Sequence, residues 1–243
     1  NAVIQDIVRS LRISPGSELD IILNSLARWK NFWSINATGL SKDEALGLFG
    51  ELWFMSQWLG PVNSTIVDMW QSTTGARHDF QWPIASVEVK TAATSKTCEP
   101  IHHIASIDQL DKPEIGELFL FSLQVSDDSL ASNSLHALVD KIFRDLQNDY
   151  RGLSSFKDKL FFRGYTPIDE INACRTFRII GTRLYLVDEK FPKIIRRSFS
   201  NNEIPKGIVN IEYNIDMSAC SQWLVAVSPS DDNAIDLINT CKK

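Results

Sequence analysis

The run Leu118-Phe119-Leu120-Phe121-Ser122-Leu123-Gln124-Val125 constrains the fold more than any other stretch of this chain. A strand with one face in water alternates apolar and polar side chains. A strand that stays apolar through most of its length is covered on both faces, which is the habit of a central strand in a layered α/β protein. Residues 134–149 then place Leu135, Leu138, Val139, Ile142, Phe143 and Leu146 at three-four spacing, so an amphipathic helix is expected to cover one face of that sheet. A shorter helix is expected at 153–163.

Upstream, helices are expected at 3–11 and 18–33, the second carrying Leu19, Ile22, Leu23, Leu26 and Trp29 on one side. Ser41-Lys42-Asp43-Glu44 reads as a capping box opening a strong helix, and Gly60-Pro61 stops it. Gly47, Leu48, Glu51, Phe54, Met55 and Trp58 share one face of this helix, and Trp29, Trp33, Trp53 and Trp58 read as core residues. After the first turn Glu51 is the only charged member of that face. A carboxylate pointing inward is costly unless it is paired, hydrogen-bonded or near a metal.

Residues 65–70 suggest a strand, and Gln71–Arg77 a turn rich in Ser, Thr and Gly. Phe80–Trp82 and Ala85–Lys90 read as a strand pair around Pro83, followed by a polar loop from Thr91 to Pro100 that includes neither His102 nor His103 but leads to them. Those two histidines could touch a nucleic-acid backbone, although a polar-loop role suits them better. Ile101–Ile107 suggests a short strand leading into a turn at Asp108-Gln109-Leu110. Beyond residue 165 the texture changes. Two strands joined at Gly181-Thr182 are expected over 175–187, two more at 207–214 and 222–227, and then a weak terminal helix. The order implies an α/β sandwich with a central mixed sheet flanked by helices. Residues 1–165 would form its core with the N-terminal helices, and 166–243 a β-rich C-terminal extension or subdomain.

With 243 residues, 44% hydrophobic and 23% charged, the chain suits one large globular domain or one with an appendage. No apolar run approaches the ~20 residues of a membrane span, and no secretory leader is recognisable. The chain opens on Asn1, so a start further upstream is expected. Cys98, Cys174, Cys220 and Cys241 lack zinc-ligand spacing and read as scattered buried thiols of a reducing, cytoplasmic setting. A net charge of −5 argues against a sequence-independent DNA clamp but not against an enzyme whose carboxylates hold a metal. The basic run from Lys190 to Arg197 reads either as a solvated edge or as a phosphate contact.

The chemistry concentrates in Arg77-His78-Asp79-Phe80-Gln81-Trp82-Pro83-Ile84-Ala85-Ser86-Val87-Glu88-Val89-Lys90. On a strand, Glu88 and Lys90 point to the same side and Val87 and Val89 to the other. Asp79 comes from the neighbouring strand, so two carboxylates and an ammonium would share one small volume. Mg²⁺ takes oxygen ligands and keeps several waters, so Asp79, Glu88 and the Val89 carbonyl would suffice to hold it, with Mn²⁺ as a substitute. Such a site serves phosphodiester hydrolysis. Lys90 would hold the attacking water or stabilise the pentavalent phosphate. Glu51 could orient Lys90 or contact a second metal, and Gln109 could contact water or phosphate. His78 is a candidate base or substrate contact, although a histidine there more often hydrogen-bonds the loop that orients its neighbour. No G-x-S-x-G elbow, P-loop or G-x-G-x-x-G is present, so any energy source would lie on a partner.

The spacing Asp79-x8-Glu88-x-Lys90 resembles the PD-(D/E)XK nuclease signature. A wider set of residues is similar to the bacterial family called "PD-(D/E)XK motif protein". It comprises Gly47-Leu48-Phe49-Gly50-Glu51-Leu52, Arg77-His78-Asp79-Phe80, Val87-Glu88-Val89-Lys90-Thr91, Ile107-Asp108-Gln109-Leu110-Asp111, Arg183-Leu184-Tyr185-Leu186-Val187-Asp188 and Ile215-Asp216-Met217-Ser218-Ala219-Cys220. The resemblance implies a restriction-endonuclease-like fold and a metal-dependent DNA endonuclease in restriction or anti-phage defence, often beside helicase-like or ATPase partners. It departs from the superfamily pattern in one place: His78 stands where the signature has proline. Proline there shapes backbone and carries no chemistry. Cutting both strands of a duplex would imply a homodimer, since one such site hydrolyses one strand at a time. The alternatives are a catalytically silent nuclease-fold module that binds DNA or protein, and an RNA-directed nuclease.

Overall fold

The computed structural model describes residues 39–71, 76–94, 98–166 and 175–241, with short stretches at 7–8, 11, 17–19, 21–23 and 25–26. The helices expected at 3–11 and 18–33 fall largely outside the described residues, as do Trp29, Trp33 and Cys174.

Helix α1 spans Lys42–Trp53, and its start is fixed by the expected capping box. The Glu44 N–H donates to Ser41 Oγ at 3.2 Å, and the Ser41 N–H donates to Glu44 Oε2 at 2.8 Å. Together these satisfy two backbone donors that a helix start leaves unpaired. A π-helical turn, Phe54–Trp58, continues α1 to Gly60, whose φ of 87° ends it. Among residues 39–241 that are described, the other α-helices are α2 (Ser64–Met69), α3 (Leu135–Asp145), α4 (Tyr150–Phe162) and α5 (Asp232–Cys241).

The strands are β1 (Phe80–Gln81), β2 (Ala85–Ala93), β3 (Ile101–Ile104), β4 (Glu117–Asp127), β5 (Phe177–Leu186), β6 (Tyr213–Asp216) and β7 (Leu224–Ala226). Five of them form a mixed sheet in the order β1-β2-β4-β5-β7, and β3 and β6 form a separate ribbon. Strand β2 runs parallel to β4 and the other sheet pairs are antiparallel. Strand β4 is buried from Leu118 to Val125, as its composition requires.

Alternation along β4 divides the core. Phe119, Phe121, Leu123 and Val125 join α1 to α4 in the larger cluster, with Phe49, Phe54, Trp70 and Phe156. Leu118 and Leu120 face the other way and pack with Ile104, Leu110, Tyr185, Ile215 and Met217 beneath the β3–β6 ribbon. A one-residue slip of β4 would exchange the two sets, and each large side chain is worth roughly 1.5–3 kcal/mol of burial, so the register is firmly specified. Residues beyond 165 contribute to both clusters and supply β5 and β7 to the sheet itself.

Two expectations need correction. Residues 65–69 belong to helix α2, not a strand, and Trp70 follows it in extended conformation. The Asn63 side chain accepts the Ile66 N–H at 3.0 Å, Asp149 Oδ2 accepts the Ser64 N–H at 2.6 Å, and Lys159 Nζ donates to the Val67 carbonyl at 2.7 Å. These partners satisfy both ends of a short helix and outweigh the strand preference of Ile66 and Val67. Of residues 175–187, 177–186 form one strand, not two joined at Gly181-Thr182. The 11-residue β4 offers a continuous edge, and β5 follows it with Ile180 bulged out between Ile179 and Gly181. Smaller shifts also occur: β2 runs on to Ala93, and of 207–214 only the last two residues are in strand β6.

Candidate active site

The β1–β2 hairpin brings the acidic residues together. Its register pairs Phe80 with Val87 and Gln81 with Ser86, which sets Asp79 opposite Glu88. Backbone contacts fix the approach to β1: Trp70 bridges Phe80, and the Gln71 N–H donates to the Asp79 carbonyl at 2.7 Å. Asp79 Oδ2 then accepts the Val89 N–H at 2.8 Å. A strand residue points its N–H and C=O to the same side, so the Val89 carbonyl also faces the Asp79 edge of β2.

Glu88 is 2% exposed, and its Oε1 meets both Lys90 Nζ at 3.0 Å and Gln109 Nε2 at 2.8 Å. Gln109 is itself oriented, since its Oε1 accepts the Ala105 N–H at 3.0 Å. Glu51 arrives from α1. Helix α1 lies close on β2 because Gly50 has no side chain; a Cβ there would sit 1.8 Å from Thr91 Oγ1. Both Glu51 oxygens are occupied, Oε2 by Trp70 Nε1 at 2.7 Å and Oε1 by Arg163 Nη2 at 2.6 Å.

Electrostatics set this cluster apart. Burial, reinforced by the Asp79 charge, pushes the Glu51 pKa up to about 7 despite Arg163 and Trp70. Glu88 is raised well above the usual carboxylate range by burial and by the charges of Asp79 and Glu51, with Lys90 opposing. Asp79 is raised by burial, against the Val89 hydrogen bond and the charges of Lys90 and Arg163. Three carboxylates thus compete for two neighbouring cations. That is the donor chemistry a dication relieves. Among the described residues no three His, Cys, Asp or Glu side chains converge tightly enough to form a ready cage. The oxygen donors Asp79 and Glu88 would suit a hard divalent cation that keeps part of its water shell.

The other sequence candidates are placed as follows. Gln109 reaches the cluster, where it binds Glu88. His78 is 2% exposed, and its Nε2 lies 3.2 Å from the Asp111 carbonyl, so it fastens the 105–112 loop. Burial and the Arg77 charge push its pKa down to about 4. His102 and His103 stand on β3. His102 is buried with Nε2 2.7 Å from Ser122 Oγ, while His103 is exposed beside Asn214. Within the basic run Arg196 is paired with Asp108 at 3.1 Å. Cys220 is buried but Cys98 is exposed, contrary to expectation for a buried thiol.

Sequence reasoning missed Arg163, Trp70 and Arg77. Arg77 donates to the Asp108 carbonyl at 3.2 Å and pairs with Asp111 at 2.8 Å, tying Asp79's own segment to the loop that carries Gln109. Arg163 lies 112 residues from Glu51, and no local pattern marks it.

A mixed sheet whose β1–β2 hairpin presents Asp79 against Glu88 and Lys90, with a glutamate from the flanking helix, is a restriction-endonuclease-like α/β fold of the PD-(D/E)XK class. Residues 1–218 match the family model described as "Putative PD-(D/E)XK family member, (DUF4420)", and the chain belongs to that family. No curated protein and no solved structure matches it. The family is nuclease-like. No helix among the described residues is long and apolar enough to cross a membrane.

Proposed function

We propose that this protein is a metal-dependent endonuclease that hydrolyses DNA phosphodiester bonds, and that it serves in restriction or anti-phage defence. The observation that carries the reading is Asp79 bound to the Val89 N–H at 2.8 Å, next to Glu88, with the Lys90 ammonium 3.0 Å from the Glu88 carboxylate. Asp79 and Glu88 would hold Mg²⁺, or Mn²⁺ in its place, with the Val89 carbonyl as a third oxygen. The bound ion would acidify water and offset charge on the phosphate. Lys90 holds the attacking water and donates to the phosphoryl oxygens as negative charge builds there. Gln109 keeps Glu88 oriented, and Glu51 keeps the helix side of the site in register. Two copies of the chain would be needed to cut both strands of a duplex, and helicase-like or ATPase partners would supply any energy-dependent step. The defence role rests on the family resemblance.

A second reading, a catalytically silent module that binds DNA or protein, draws on the net charge of −5 and on the occupation of Glu88 by two neighbours. Isothermal calorimetry with Mg²⁺ and Mn²⁺ separates the two. The nuclease reading expects binding by the wild-type protein that Asp79→Ala and Glu88→Ala each abolish, together with metal-dependent cutting of duplex DNA. Absence of binding, or binding indifferent to both substitutions, favours the silent module.

A further inference from the structure

We propose that Arg163 is a substrate contact, its guanidinium mounted on Glu51 and its other donors offered to a backbone phosphate of the bound strand. The inference rests on the nuclease reading and adds a residue that the signature does not contain.

Arg163 caps the C-terminus of α4. Its N–H donates to the Lys159 carbonyl at 3.0 Å, and Gly164 follows with φ 79°, so its backbone is fixed where the helix ends. From there the side chain reaches Glu51 at 2.6 Å. Glu51 has its second oxygen on the Trp70 indole, and Trp70 in turn bridges Phe80, next to Asp79. A chain of buried contacts thus runs from the hairpin to this one guanidinium. It is also open. The Arg163 side chain is 26% exposed, against 6% for Glu51, 3% for Glu88 and 15% for Lys90.

The chemistry follows from the side-chain type. A guanidinium carries five N–H donors in a rigid fork and stays charged, and the Glu51 contact engages Nη2. Phosphate is the anion that the rest of the fork suits, because two parallel donors match two of its oxygens. With both its oxygens occupied, Glu51 is a mount for Arg163. Lys90 serves the scissile phosphate, so a flanking phosphate needs a second cation. In a chain with net charge −5, a cation at the rim of the site contributes disproportionately to holding a polyanion.

The test is fluorescence anisotropy with a labelled 30-base-pair DNA duplex in Ca²⁺, titrated over salt, with cleavage in Mg²⁺ measured alongside. Arg163→Gln is expected to reduce the slope of log affinity against log salt by about 0.9 and to weaken binding about tenfold. Arg151→Gln, 12 residues earlier on the same helix and about 18 Å away, is expected to leave the slope unchanged. The double variant Glu51→Gln/Arg163→Gln discriminates further. If Arg163 only neutralises Glu51, removing both restores affinity and cutting; a phosphate contact stays lost. Wild-type slope in Arg163→Gln, or recovery in the double variant, overturns the proposal. Should Arg163→Gln fail to fold, Arg163→Lys decides: weaker binding at an unchanged melting temperature supports the contact, and unchanged binding refutes it. Failure of the nuclease reading is seen separately, as a wild-type protein that cuts no DNA with Mg²⁺ or Mn²⁺ whatever its salt slope.

Discussion

Lys90 stands where two demands meet. Its ammonium lies 3.0 Å from Glu88, so it lowers the cost of a nearly buried carboxylate, and it is the cation of β2 that projects to the same side as the candidate ligand. These roles separate in a Lys90→Ala variant. Removing a transition-state donor typically costs on the order of 10²–10³ in rate, so cleavage should fall at least that far. Metal affinity should persist, because the substitution removes a competing cation from Glu88 and no ligand. Single-turnover cleavage and calorimetry on the same preparation read the two effects, and retained cleavage refutes the assigned role. At this scale the shared side of Glu88 and Lys90 and the inward direction of Glu51 were legible from the sequence because strand period and helix face are local properties. Gln109 was expected to contact water or phosphate, and its bond to Glu88 was not legible. Arg163, Trp70 and the His102–Ser122 contact depend on pairings across 112, 19 and 20 residues, which no local spacing announces.

The approach of α1 to β2 places Glu51 in the site, and it depends on Gly50. A Cβ at Gly50 would lie 1.8 Å from Thr91 Oγ1, 3.1 Å from Thr91 Cβ and 3.4 Å from Val89 Cγ1. Gly50→Ala should therefore push the helix off the strand and destabilise the protein by about 1–3 kcal/mol, despite alanine's better helix propensity. Thr91 Oγ1 is buried without a hydrogen-bond partner, so Thr91→Ala removes the main obstacle at little cost. Urea unfolding of Gly50→Ala, Thr91→Ala and the double variant should show strong coupling, with the double variant recovering most of the loss. Additive effects would mean that the close approach is not what limits position 50. Elements with their own start signals, apolar period or unbroken apolar run, such as α1, α3 and β4, were legible in the sequence. Helix α2 was not, because Lys159 and Asp149 that cap it come from the α3–α4 region. Nor was the continuity of β5, because only the length of β4 carries the chain past Gly181 without a turn.

For the whole molecule, metal binding and folding should be linked through pH. The unfolded chain does not hold Asp79 opposite Glu88, so an ion bound there stabilises the folded state alone, by about 2.7 kcal/mol at a hundred times its dissociation constant. The carboxylates set the pH window. Glu51 has its pKa raised from 4.5 to about 7, and Asp79 and Glu88 are raised as well. A raised carboxylate favours the folded state at low pH, where it is protonated, and this advantage is lost as pH rises from the unfolded value through the folded one. Between pH 4.5 and about 7 the metal-free protein should therefore lose the contribution of Glu51, with Asp79 and Glu88 acting in the same sense. Asp79 and Glu88 must give up their protons to bind the ion, so the gain from Mg²⁺ should be larger at pH 8 than at pH 5. For a chain of this size each kcal/mol shifts the melting temperature by roughly 2–4 °C, so saturating Mg²⁺ should raise it by roughly 5–10 °C at pH 8 and far less at pH 5. Asp79→Asn/Glu88→Gln removes both ligands and their repulsion. Its metal-free melting temperature at pH 8 should exceed that of the wild type, and Mg²⁺ should not move it. Differential scanning calorimetry at the two pH values, with and without Mg²⁺, reads all of these quantities. An equal Mg²⁺ increment at both pH values, or an increment that survives the double substitution, would place any bound ion elsewhere and leave the repulsion at the β1–β2 end of the sheet unrelieved.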